Sequence, residues 1–269
     1  MSPVPAPDHG RTDSYLICAT PRTGSSLLCG LLDSTGVAGH PESWFRRQDE
    51  QEFAVRWGIA DPLDGAFGYA GYFRAATAAG STANGVFAAR VMWGTMDEVT
   101  HHLTAVSPGH AGSAAGLLSA AFGRTRFVYL RRGDVVAQAV SLLRAEQTGV
   151  WTETADERQE PTAQPAFNFG QVRDLVRQID DDNAAWEAWF AAEGVRPYRV
   201  LYEELDADPI GIASGVLSFL GLDLPAGREI TVRHKRLADE LSAQWIESYR
   251  LHEARERPHP AQASALGHG

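Results

Sequence analysis

Residues 20–26, Thr-Pro-Arg-Thr-Gly-Ser-Ser, have the types and order needed to hold a tetrahedral anion. They follow a short apolar run, Tyr15-Leu16-Ile17-Cys18-Ala19, that reads as a buried strand. After them a helix is expected to begin between Thr23 and Ser25, carry Leu27, Leu28, Leu31 and Leu32 on its apolar face, and end near Gly36. Strand, loop and helix in that order aim unpaired backbone N–H groups and the positive end of the helix dipole at one place. Gly24 lets the backbone come close to a ligand, Thr23, Ser25 and Ser26 offer hydroxyl donors, and Arg22 offers a guanidinium fork. The same residues also make a plain capped turn that binds nothing. A Walker pattern, with lysine before Ser/Thr, is absent, and the chain's one lysine is Lys235. A P-loop kinase or nucleotide hydrolase is thereby disfavoured, because that chemistry uses a lysine to bridge phosphates.

A second anion contact is suggested further along. Arg131 and Arg132 emerge after the strand-like run Arg126–Leu130, and Asp134 is placed to cap a helix with Val136, Val140 and Leu143 on its apolar face. Ser141 lies two turns beyond Asp134 and returns to the same face. Two separated anion sites fit a nucleotide phosphorylated on both the 5′ and 3′ sides of its ribose. A surface arginine pair and a solvated serine would look the same.

These loops need a scaffold. Residues 85–93 and 198–202 read as two more strands. Helices are expected over about 171–193, with Val172, Val176, Ile179, Trp186 and Phe190 at helical spacing, and over 214–221 and 238–250. The alternation makes an α/β fold with a central parallel sheet flanked by helices, one domain over 15–250 between flexible tails at 1–14 and 251–269. The segment 46–84 reads as irregular or short-helical, and 152–168, polar with two prolines, as a mobile surface loop.

Composition sets limits. With 269 residues, 44% hydrophobic and 22% charged, the chain is an ordinary globular protein. Its net charge of −10 repels nucleic acid and anionic membrane, so any anionic ligand must be captured locally. No run is apolar for the roughly 20 residues that span a bilayer, and the N-terminus lacks a signal-peptide core, so a cytoplasmic location is expected. Cys18 and Cys29 sit in apolar surroundings and read as core. His101, His102 and His110 lack ligand spacing with a carboxylate or cysteine and read as a solvated loop, so no metal is expected.

The stretch YLICATPRTGSSLLCGLLDSTGVAGHPESWF (15–45) resembles the start of bacterial sulfotransferases of the trehalose 2-sulfotransferase type. The likeness continues in Val86–Trp93, LRRGDVVAQAVSLLRAEQTGVW (130–151), VLYEELDADP (200–209) and RLADELSAQWIESYR (236–250). It implies a P-loop-like sulfotransferase fold and a sulfuryl donor, 3′-phosphoadenosine 5′-phosphosulfate (PAPS). By the resemblance, Arg22, Thr23, Gly24, Ser25 and Ser26 bind the 5′-phosphosulfate, and Arg132, Ser141 and Arg131 the 3′-phosphate. Tyr202 falls on the adenine side, and Arg236 is a further nucleotide contact. The acceptor is a carbohydrate or glycolipid hydroxyl, and homodimerisation is common in the resembled enzymes.

The chain departs from that family's pattern at two places. The catalytic glutamate there stands two positions after a proline; here Glu42 follows Pro41 directly and Ser43 holds the expected place. Glu42 is the expected general base, with the imidazole of His40 as the alternative. Arg90 stands where the resembled enzymes have lysine. Trp44, Phe45 and Trp93 fall beside this centre and offer faces for a sugar ring, although buried aromatics are more often core. A non-catalytic nucleotide- or glycan-binding module on the same fold is the competing reading.

Overall fold

The computed structural model describes residues 12–59, 68–106, 112–151, 160–232 and 239–256. They form two compact units, Met1–Gly133 with Asp181–His234, and Asp134–Asp180 with Lys235–Gly269.

The first unit is built on four parallel strands: β1 (Ser14–Ala19), β2 (Phe87–Met92), β3 (Thr125–Arg131) and β4 (Tyr198–Leu201), in the order β2-β1-β3-β4. Every residue of β1 is buried, as a strand paired on both edges and covered on both faces requires. Side chains alternate across the pleat and feed two separate cores. Leu16, Cys18, Phe87, Ala89, Phe127 and Tyr129 enter one of them. Tyr15, Ile17, Ala19, Ala88, Val128 and Leu130 enter the other. Cys18 and Cys29 belong to opposite faces and are free thiols.

Helices α1 (Ser25–Ser34), α8 (Tyr202–Ala207) and α9 (Pro209–Leu220) supply residues to the Tyr15 face. The Leu16 face takes α2 (Arg47–Arg56), α3 (Tyr69–Ala79), α4 (Thr95–Val106) and α5 (Ala114–Phe122), together with Trp186 and Phe190 of α7 (Phe169–Ala192). The second unit holds α6 (Val135–Thr148), the first half of α7 and α10 (Glu240–Glu256), packed through Val140, Leu143, Val172, Ile179, Trp245 and Tyr249.

The expected parallel α/β scaffold is present, and Asp134 caps α6 by accepting from the Ala137 N–H at 3.0 Å. Three helices, α4, α5 and α8, lie where the sequence reading proposed none. In α4, Met96, Val99 and Leu103 recur at three- and four-residue spacing and are buried. That periodicity places His101 and His102 on a helix, which corrects the solvated-loop expectation. His102 stacks on Tyr69 with ring centroids 3.9 Å apart, while His110 lies outside the described residues. The last helix continues past the expected Arg250 to Glu256.

Candidate active site

With strand order β2-β1-β3-β4, the connection leaving β1 runs to one side and that leaving β3 to the other, so the reversal falls at the carboxyl ends of β1 and β3. Open α/β sheets bind ligands at such a point. Ala19 is in register with Leu130, so the loop after β1 and residues 131–133 start as neighbours.

The loop after β1 has an uncommon backbone. Arg22 has φ 67°, the one non-glycine residue with positive φ among the described residues, and Gly24 has φ 83°. Left-handed residues spaced in this way turn successive N–H groups inward, the geometry of an anion nest. Gly24 is also the N-cap of α1 and supplies no side chain to it, so the helix opens with its first amides uncapped by that residue. The Thr23 hydroxyl donates to the Thr20 carbonyl at 2.9 Å. Its proton therefore stiffens the loop, leaving Ser25, which is buried, and half-buried Ser26 as the hydroxyls nearest the helix start.

The second group of residues gathers around Arg90, at the carboxyl half of β2. Its Nη1 donates to Ser26 Oγ, its Nε to Ser43 Oγ and its Nη2 to Glu42 Oε1, each at 2.9 Å. The Arg90 side chain is 17% exposed and that of Glu42 50%. The backbone aligns them, because Glu42 forms an isolated parallel bridge with Ala89 and its carbonyl accepts the Arg90 N–H at 2.9 Å. One guanidinium thus joins the anion loop to the predicted base. A lysine, with a single nitrogen, has no such fork. The two positions following Pro41 converge on the same cation, so moving the carboxylate from position 43 to 42 keeps it at Arg90. The nearby Cys29 thiol is pushed up to about 12, mainly by burial, and is chemically inert at neutral pH.

The alternative base, His40, is held elsewhere. Its Nδ1 lies 2.6 Å from Asp33 Oδ1, near the C-terminal end of α1. Asp33 is seven residues beyond Ser26, about 10 Å along the helix. His40 is therefore tied away from the loop that Arg90 contacts.

A third group forms at the end of β3. The Arg132 guanidinium carbon lies 4.6 Å over the Tyr202 ring. Tyr202 in turn packs against Gly24, where a Cβ would come within 2.5 Å of its Cδ2. Glu203 accepts the Gly133 N–H through both oxygens at 3.1 Å. Arg132 Nε is buried with no hydrogen-bond partner among the described residues. An orphaned cationic donor beside an anion loop suits an entering phosphate.

Other sequence candidates fall differently. Arg131 leaves the strand on the opposite face, and its charge acts on Tyr129 and Glu187. Trp44 and Phe45 are 8% and 1% exposed, which corrects their expected place beside an acceptor. The Trp44 indole N–H donates to the His40 and Ala88 carbonyls at 3.1 Å, and Phe45 packs on Phe73 and Phe122. Covered rings offer no face to a sugar. Trp93 is partly buried, with its ring 5.0 Å from that of Trp186, and its backbone N–H donates to the Ala19 carbonyl at the end of β1. Ser141 lies half-buried on α6 in the second unit, and Arg236 falls outside the described residues. Ser43, which takes no part in the expected chemistry, joins through Arg90; its place two residues after Pro41 was the available signal.

The family model described as Stf0 sulphotransferase matches residues 14–252. The trehalose 2-sulfotransferase of Mycobacterium tuberculosis (strain ATCC 35801 / TMC 107 / Erdman) is 30% identical over 260 residues, covering 88% of this chain and 94% of that protein. The trehalose 2-sulfotransferase of Mycolicibacterium smegmatis (strain ATCC 700084 / mc(2)155) is 30% identical over 264 residues with the same coverage. Among solved structures, the sulfotransferase domain of the Synechococcus PCC 7002 olefin synthase aligns over 91% of this chain and 90% of that one, with a TM-score of 0.42 and 15% identity. The sheet, the anion loop and the family match over residues 14–252 lead to one assignment: the chain belongs to the Stf0 sulphotransferase family.

Proposed function

We propose that the protein transfers a sulfuryl group from PAPS to a hydroxyl of a trehalose-like carbohydrate or glycolipid. The observation that carries this reading is the meeting of anion loop and carboxylate at one cation, Arg90, bonded to both Ser26 and Glu42 at 2.9 Å. The two trehalose 2-sulfotransferases, matched over 88% of the chain, support the sugar acceptor.

PAPS, when bound, supplies a sulfuryl group carried on a phosphate that can depart. Arg22 and the backbone N–H groups at the start of α1 stabilise the negative charge that develops on that phosphate. Arg132 takes the 3′-phosphate, giving its buried Nε an acceptor. Glu42 accepts the acceptor hydroxyl's proton, and Arg90 holds it next to the loop. Catalysis of this type rests on positioning and charge more than on covalent participation of the protein.

The test incubates purified protein with PAPS and trehalose and reads sulfated sugar by mass spectrometry, beside Glu42→Gln. Sulfated trehalose from the wild type alone supports both the reaction and the base. Transfer unchanged in E42Q removes Glu42 from the mechanism. Nucleotide binding with no transfer to any sugar of a broad panel turns the assignment to a binding module.

A further inference from the structure

Tyr202 stands between two of the groups described above, the anion loop and Arg132. Arg132 covers one face of the Tyr202 ring, at 4.6 Å from its centroid. The edge of the same ring presses on the Cα of Gly24, leaving no room for a Cβ. Tyr202 therefore touches both the anion loop and the cation at the end of β3. The neighbouring Glu203 pins the Gly133 amide through both carboxylate oxygens, fixing the backbone directly after Arg132. Between those two restraints Arg132 Nε is buried and lacks a partner among the described residues. A buried unpaired N–H of a cation is costly, and the cost is recovered only by an acceptor that enters at that point.

We propose that Tyr202 is a positioning residue that spaces Arg132 from the anion loop, so that the protein selects nucleotides phosphorylated at both the 5′ and 3′ positions. Tyr202 sets this spacing through its ring, which contacts Gly24 and Arg132, while its hydroxyl donates to Asp206 Oδ1 at 3.4 Å. The inference rests on the donor reading above, and it assigns the discrimination to Tyr202 acting through Arg132.

Calorimetric titration with adenosine 3′,5′-bisphosphate and with AMP separates the alternatives, because adenine is common to both probes and the 3′-phosphate is not. The wild type is expected to prefer the bisphosphate. Tyr202→Phe keeps that preference within about twofold, the margin of an undisturbed site. Tyr202→Leu lowers it about tenfold, the scale of a desolvated cation–π contact, with AMP affinity little changed. Tyr202→Met, which keeps bulk against Gly24 without a π face, is read the same way where the leucine variant fails to fold. In the Tyr202→Leu/Arg132→Met double variant the loss of preference is no larger than in Arg132→Met alone, since the tyrosine acts through the arginine.

Wild-type preference in a folded Tyr202→Leu protein overturns the proposal and leaves the donor reading standing. Equal loss of AMP and bisphosphate overturns it in favour of an adenine contact. A wild type that does not distinguish the two nucleotides overturns the donor reading, and the proposal with it.

Discussion

The ends of β2 and β3 each carry an arginine beside the anion loop, and the two are in opposite states. Arg90 is bonded to three side chains, Ser26, Ser43 and Glu42. Arg132 lies on an aromatic ring with a buried Nε that has no partner among the described residues. An arginine bonded through all three of its nitrogens organises the groups around it, whereas one with a buried unmet donor is built for something that arrives. Fold stability and ligand affinity should therefore respond to the two positions with opposite emphasis.

The sharpest way to break the contrast is at the carboxylate that Arg90 holds. Glu42→Gln keeps the shape and removes the base, and transfer should fall about 10²–10⁴-fold with adenosine 3′,5′-bisphosphate binding retained, read by single-turnover kinetics and calorimetry. Next comes Gly24→Ala. It forces alanine into φ 83° and drives a Cβ against Tyr202, so unfolding in urea should show a loss of about 2–4 kcal/mol. Arg90→Met strands Ser26, Ser43 and Glu42 together. It should cost about 1–3 kcal/mol, discounted because Glu42 is half exposed, and Arg90→Lys should recover only part of it.

Arg132→Met sharpens the comparison from the other side. Removing a buried unsatisfied donor should leave the thermal midpoint unchanged or raise it, while bisphosphate affinity falls. A clear drop in melting temperature would show that Arg132 supports the fold as Arg90 does.

The smallest effect is expected at Arg144, in the second unit, which bonds Asp239 and Ser242. The Arg144 hydrogen bonds hold Asp239 down at about 2. A carboxyl lowered in the folded state stabilises above its unfolded value of 3.8 and loses that contribution as pH falls toward about 2. Asp239→Asn should flatten the stability profile over this window, measured by thermal melts at stepped pH. Solvent screening at half-exposed Asp239 keeps the change small.

The loop after β1 was legible because its signal is local. An apolar run over Tyr15–Ala19, a Gly and Ser/Thr cluster and a leucine-faced helix follow one another without interruption, and Asp134 similarly announces α6. The Glu42–Arg90 pair was legible only as two separate suspicions. Its partners are 48 residues apart, and the bridge at Ala89 that aligns them has no mark in either segment. Trp44 and Phe45 were misplaced because an aromatic next to a functional residue looks alike whether it faces ligand or core. α4 was missed because two histidines and three threonines diluted its buried stripe of Met96, Val99 and Leu103.

The strand order has a consequence for how this chain is made. β1 is synthesised before both of its partners, yet it lies inside the sheet and pairs with β2 at 87–92 and β3 at 125–131. At ordinary translation speeds the second of these partners is completed roughly ten seconds after β1. During that interval the nascent Ser14–Ala19 segment offers two open edges and no polar face, since all six of its residues end up buried. Molecular chaperones that hold extended apolar segments should engage this protein on the ribosome, and release should await the synthesis of β3.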